Sequence, residues 1–214
     1  MATPIVTQES AKIRALRAEL VHTLREKGIT DERVLKAIAQ LPRHEFVESA
    51  LAYQAYDDRA LPIANEQTIS QPYTVAYQTQ LLQLEPKDRI LEIGTGSGYQ
   101  AAVLCWMGQV VFSIERDLDL HRNARANLRK VTSQNMPLLK YGDGTLGWPE
   151  FAPYDAILVT AASPRLPEPL IKQLAVGGRL VIPVGDEKSQ VMTRVTRLGD
   201  RNFQTEELGR FRFV

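Results

Sequence analysis

Four short apolar runs, RILEI, VVFSI, DAILVT and RLVIPV, punctuate the second half of the chain, with LLKYG a fainter fifth. Each is too short for an independent helix and rich in β-branched residues, which suit a pleated, packed surface. The stretches between them, at 99–107, 118–130 and 165–175, read as helices. Strands joined through helices call for a mostly parallel sheet covered on both faces. Residues 191–213 depart from that rule and read as a hairpin about Gly199 and Asp200, an antiparallel edge. The fold class expected is therefore α/β, a doubly wound and mostly parallel sheet, over about 75–214.

Ahead of it, Ile13, Leu16, Leu20 and Leu24 recur at helical spacing within 7–27, and Gly28 is placed to stop that helix. Thr30 is the expected N-cap of a second helix, with Asp31 and Glu32 in its first turn and Pro42 at its end. Residues 43–69 lack periodicity but are rich in aromatic and aliphatic side chains, as in a functional loop rather than a disordered one. Ser70 or Gln71 opens a further helix, with Pro72 near its first position, running to about Leu84. Residues 1–74 are expected to form a helical cap and covering arm, packed on a main domain at 75–214.

Lys and Arg total 26 against 25 Asp and Glu, and no basic block stands out, so no nucleic-acid partner is implied. Neither a secretion signal nor an 18-residue apolar run is present, so no membrane span is expected. Cys105 is the lone cysteine, and His22, His44 and His121 show no ligand spacing, so no metal site is expected. A monomer in the reducing cytoplasm is the expectation.

The stretch RILEIGTGSGYQ carries the strongest chemical signal. Gly94, Gly96 and Gly98 would form a tight strand-to-helix turn, open to a ligand and facing the N–H groups of the following helix start. VVFSI ends at Glu115, where a carboxylate either accepts hydrogen bonds from ribose hydroxyls or pairs with Arg116. Asp143, in YGDG, either caps its own turn or receives a hydrogen bond from an adenine amino group. The dinucleotide fingerprint G-x-G-x-x-G fails, because its third glycine is Tyr99. Glu92 is out of place in an apolar strand: it would accept from the turn's backbone or attract a cation across the crevice, and is costly if buried without partners. A nucleoside with a cationic tail, S-adenosylmethionine, suits these residues better than NAD.

EIGTGSGYQAAVL at 92–104 resembles the first motif of protein-L-isoaspartate O-methyltransferases. The resemblance extends in order through LPRHEFV, ALPIANEQTISQP, SIER, GDGTLGW, DAILVTAA and QLAVGGRLVIPVG, from Leu41 to Gly185. It implies a Rossmann-like class I methyltransferase fold and methyl transfer from S-adenosyl-L-methionine to the free carboxylate of L-isoaspartyl residues in damaged proteins, with D-aspartyl residues as a further substrate. By the same resemblance, Glu92, Gly94, Thr95, Gly96, Gly98 and Glu115 hold the amino-acid part and ribose of the cofactor, and Asp143 with Gly144 contacts adenine. Thr68, Ile69 and Ser70 lie across the cofactor, and Ser70 is the catalytic residue, its hydroxyl aiming the substrate carboxylate. Two departures stand out: Ala64 and Glu66 occupy positions where the family commonly has glycine, and the chain stops at FRFV where the family tends to continue. The rival readings are a NAD-dependent oxidoreductase, a methyltransferase of small molecules or RNA, and a non-catalytic binder of the nucleoside or of isoaspartyl peptides.

Overall fold

A computed structural model describes residues 10–132, 135–186 and 188–213. Two helices open the described chain. Helix α1 (Ala11–Glu26) is capped by Ser10, whose hydroxyl accepts from Ile13 N–H. It ends at Gly28, whose φ of +92° lets Ile29 N–H return to the Leu24 carbonyl. The expected start of this helix at residue 7 lies outside the described residues. Helix α2 (Glu32–Gln40) is capped by Asp31, not Thr30. Thr30 is diverted because its N–H and hydroxyl both bond to Gln80 Oε1.

The aperiodic arm folds as three short 3₁₀ turns, then a small antiparallel hairpin of β1 (Leu61–Pro62) and β2 (Thr68–Ile69). Helix α3 (Pro72–Leu81) follows, shorter than expected because the chain leaves helical geometry by Gln83, at φ +49°. The rest alternates as anticipated: β3 (Arg89–Ile93), α4 (Tyr99–Trp106), β4 (Val110–Glu115), α5 (Leu118–Val131), β5 (Leu138–Tyr141), β6 (Tyr154–Val159), α6 (Glu168–Lys172), β7 (Leu174–Gly185), β8 (Gln190–Arg197) and β9 (Phe203–Phe211). Helix α6 has only five residues where 165–175 was expected. Pro167 is extended, at φ −83° and ψ 103°, and is the N-cap, so the helix starts only at Glu168, with Pro169 in its first turn, where a missing N–H is tolerated. Strand β7 then begins at Leu174, ahead of the RLVIPV run.

The seven-stranded sheet has the order β5-β4-β3-β6-β7-β8-β9, parallel from β5 to β7 and antiparallel at β8 and β9. Arg194 and Glu206 face each other across the last pair and bond through both carboxylate oxygens, at 2.9 and 3.0 Å. The winding reverses between β3 and β6, and such a reversal opens a crevice at the carboxyl ends of the strands.

Side chains of the central strands alternate between two cores. Ile90, Ala156 and Leu158 face the layer holding α4, α5 and the N-terminal helices, whereas Leu91 and Ile157 face the layer of Trp148 and Leu170. Leu20, Leu24 and Val34 belong to the same core as Ile90 and Ala101, so the helical cap shares its core with the sheet. The boundary expected at 74/75 falls within α3.

Candidate active site

At the end of β3 the backbone turns through Gly94, Gly96 and Gly98, with φ of +97°, +53° and +89°, which glycine adopts without strain. A Cβ on Gly94 would stand 2.6 Å from Thr160 Oγ1, and that hydroxyl donates to the Gly94 carbonyl at 2.6 Å. Gly98 leaves room for α5, since its Cβ would lie 3.2 Å from Leu128. At Gly96 a Cβ would reach no atom closer than Ile63 Cδ1 at 3.9 Å, and the residue lines an open cavity.

That cavity has a volume of about 910 Å³. It is lined by the turn, by Glu115, by the β6 end at Val159 and Thr160, and by Thr68, Ile69 and Ser70. Glu115 is buried, with Oε2 accepting from Gly96 N–H at 2.8 Å and Oε1 from Asp117 N–H at 3.0 Å. It is thus held by backbone donors rather than by Arg116. Each oxygen retains a further lone pair for a hydroxyl donor.

Asp143 and Gly144 complete another side of the cavity. The Asp143 carboxylate accepts from Thr145 N–H at 2.9 Å, and that bond holds its pKa below the usual carboxylate value. It therefore caps its own turn while lining the cavity. Gly144 packs on β3, where a Cβ would meet Ile93 Cγ2 at 2.5 Å.

Glu92 does not face the crevice as anticipated. Strand alternation places it on the same side as Ile90, under α4, with no exposed surface. Its Oε2 accepts from Ser113 Oγ at 2.5 Å, and Ser113 Oγ is 2.6 Å from Thr95 Oγ1, while Oε1 has no partner among the described residues. Burial drives its pKa up to about 8 despite the Ser113 hydrogen bond, so the side chain is mostly protonated at neutral pH. Glu92 and Gly98 are the two expected binding residues that do not line the cavity.

Ser70 lines the cavity between β2 and α3. It does not cap α3. Gln71 is the N-cap, without a side-chain bond, and Asp58 accepts from Tyr73 N–H at 2.8 Å instead. Asp58 also receives Gln71 Nε2 at 3.1 Å and Lys27 Nζ at 2.5 Å. The Ser70 hydroxyl consequently has no protein partner among the described residues. Asp58 had no signature in the sequence, because it acts across 15 residues from an aperiodic arm.

Of the two departures from glycine, Glu66 falls at the hairpin tip in a left-handed conformation, whereas Ala64 does not have a positive φ. Asn65 and Glu66 both adopt φ of +57°, closing a tight turn in which Ile63 N–H bonds to the Gln67 carbonyl at 2.8 Å. Glycine enters that conformation freely; glutamate does so at a cost. Asn65 Nδ2 donates to Asp117 Oδ2 at 2.8 Å, bringing the hairpin against the start of α5.

The protein family described as protein-L-isoaspartate(D-aspartate) O-methyltransferase matches residues 15–214. The chain belongs to the protein-L-isoaspartate O-methyltransferase family. Its activity is methyl transfer to isoaspartyl residues, the first step of a protein-repair reaction. A protein-L-isoaspartate O-methyltransferase of Salinibacter ruber is 54% identical over 223 residues, covering 100% of this chain and 95% of that protein. One from Christiangramia forsetii is 52% identical, covering 92% of each. Among solved structures, one protein-L-isoaspartate O-methyltransferase superposes with a TM-score of 0.83 at 31% identity, over 92% of this chain and 65% of the other. A Plasmodium falciparum protein described as a protein-L-isoaspartate O-methyltransferase, in complex with S-adenosyl-L-homocysteine, gives 0.79 at 26% identity, over 92% of this chain and 96% of that one. The Rossmann-like methyltransferase fold is common to this chain and these structures.

Proposed function

We propose that the cavity seats S-adenosyl-L-methionine against the glycine turn and presents an isoaspartyl carboxylate to Ser70. The observation that carries this reading is the placement of two groups around one cavity: a backbone-held carboxylate, Glu115, and an uncommitted hydroxyl, Ser70. Thr95 and Gly96 offer close backbone approach, Glu115 offers acceptors for a ribose, and Asp143 with Gly144 stands where an adenine edge would lie. These residues fit the polar and apolar parts of the cofactor without a phosphate site.

When bound, the cofactor supplies an electrophilic methyl group on a sulfonium. An isoaspartyl carboxylate, with a reference pKa near ~4, is ionised at neutral pH and needs no general base. The chain's own task is alignment. Such positioning is worth about 7–11 kcal/mol in well-oriented intramolecular reactions. The Ser70 hydroxyl donates one hydrogen bond to the carboxylate, aiming it while leaving a lone pair for attack. Thr68 and Ile69 also line the cavity, and the damaged residue would rest against them. The methyl ester product has a better leaving group than the free acid, so the neighbouring backbone nitrogen closes a succinimide with release of methanol, and hydrolysis of that ring returns some normal aspartyl linkage. Damaged sites occur in varied sequences, so the substrate is read mainly as extended backbone.

We propose further that the chain acts as a monomer, and that its compartment is the reducing cytoplasm, the latter supported by its single cysteine, Cys105, which is buried as a free thiol. Gel filtration with light scattering checks the monomer. The functional test is incubation with methyl-labelled cofactor and matched Asp and isoAsp peptides. Base-labile label on the isoAsp peptide alone is expected; label on both, or on neither, refutes the substrate assignment. Ser70→Ala should keep cofactor binding and lose at least about tenfold in kcat, within the usual range for loss of an aligning or charge-stabilising group.

A further inference from the structure

Arg43 lies in the short 3₁₀ turn Arg43–Phe46 and is only 1% exposed. Its Nε donates to the Ala55 carbonyl at 2.8 Å, and its Nη2 donates to the Ser70 carbonyl at 2.8 Å. The guanidinium carbon stands 4.7 Å from the centre of the Tyr99 ring. Nη1 has no hydrogen-bond partner among the described residues. Burial lowers the pKa to about 10, so the group remains a cation at neutral pH.

Stability alone is a poor reason for such a residue. A buried cation bonded to carbonyls is expensive to desolvate, and an apolar side chain of similar volume often serves a core as well or better. What the guanidinium adds is geometry. Its donors are fixed in one plane, so two carbonyls bonded to it are held at a set separation and angle. One of those carbonyls belongs to Ser70. The ring beneath belongs to Tyr99, the first residue of α4 directly after Gly98. Both Ser70 and Tyr99 line the cavity. One rigid group therefore spans from the segment bearing the hydroxyl to the helix that begins behind the glycine turn.

We propose that Arg43 is a positioning residue for methyl transfer, holding the Ser70 main chain at a fixed distance from the glycine turn so that the Ser70 hydroxyl meets the substrate carboxylate in register with the methyl donor. This rests on the aligning role of Ser70. Lysine, with a single ammonium on a flexible stem, cannot reproduce the two-carbonyl span. Displacements of about 1 Å in an aligned site can cost on the order of a hundredfold in rate, so loss of the span should appear in kcat rather than in cofactor affinity.

The experiment compares the full chain carrying Arg43→Lys, Ser70→Ala and both together, with kcat expressed per site that binds S-adenosyl-L-homocysteine by calorimetry. Arg43→Lys should bind at full stoichiometry with affinity within about threefold of wild type, and lose roughly tenfold to a hundredfold in kcat. In the Ser70→Ala background the same replacement should change kcat by less than about twofold, because the group being positioned is gone. Arg43→Met, which removes the buried charge and so leaves no unpaired ammonium, should show the same pattern and serves if the lysine variant does not fold. Wild-type kcat in Arg43→Lys or Arg43→Met, or an equal fold loss with and without Ser70, overturns the proposal. If Ser70→Ala itself turns over normally, the Ser70 reading fails and the positioning role falls with it; if Ser70→Ala is slow while Arg43→Lys is not, only the positioning role falls.

Discussion

Replacing Glu92 by glutamine should remove a pH dependence from the stability of this fold. Glu92 has no exposed surface, and its pKa rises from the usual carboxylate range to about 8. In the unfolded chain the same group titrates near ~4.3. A carboxyl whose folded pKa is raised contributes stability that is complete below the unfolded pKa and is lost as pH climbs towards the folded one. Between those limits the folded state holds a proton that the unfolded state has released, and each pH unit costs about 1.4 kcal/mol. From about pH 5 to about pH 7 the loss from this residue alone amounts to roughly 2–3 kcal/mol. Glutamine has the same shape and no charge to uncover. One of its amide donors inherits the unpartnered Oε1 environment, a cost that does not vary with pH. The absolute stability of Glu92→Gln is thus less informative than the difference between the two curves. Urea denaturation of both proteins at intervals across this range measures it. The gap between variant and wild type should widen in favour of the variant as pH rises. Parallel curves would mean that Glu92 is ionised in the folded state, and the burial argument would be wrong.

Three further outcomes follow from the site. Glu115→Ala removes the acceptor for Gly96 and Asp117 N–H and should weaken S-adenosyl-L-homocysteine binding by about 1–3 kcal/mol, roughly 5- to 150-fold; calorimetry at unchanged affinity would sink the ribose role. Asp58→Ala uncaps α3 and should cost about 0.5–2 kcal/mol in denaturant stability; a stability equal to wild type would show that another group takes over the cap. Glu66→Gly relieves a left-handed conformation worth about 1–2 kcal/mol but adds chain entropy of about 0.5–1 kcal/mol. It should leave stability unchanged or raise it slightly, and a clear loss by thermal melting would contradict the strain reading.

The parts of this fold that were legible in the sequence are those written locally. Strands with β-branched runs, a glycine turn immediately behind one of them and an acid at the end of the next lie within about thirty residues, and their order follows from the handedness and connection rules of parallel sheets. Glu92 was misread for a definite reason. A central parallel strand is buried on both faces, so an unbroken apolar run does not say which way any one residue points. Only the covering helix decides it, and that helix lies over Glu92. Thr30 was misread because its natural role was taken by a contact with Gln80, fifty residues away. Arg43 and Asp58 were invisible for the same reason: one holds the Ser70 carbonyl across 27 residues and the other caps α3 across 15, both from an arm with no repeating pattern. Long-range polar contacts of this kind leave no periodic trace.

The junction between Asn65 and Asp117 joins the hairpin tip to helix α5 through a single side-chain bond. Asp117 divides its work between two oxygens: Oδ1 receives Asp119 and Leu120 N–H at the start of α5, and Oδ2 receives the hairpin amide. Parting the hairpin from the sheet therefore leaves the helix start intact. The bond lies in water, where solvent replaces a lost partner at little cost. The hairpin tip is thus tied to α5 by one exposed side-chain bond, whereas the N-terminal helices are tied to the sheet through a shared core.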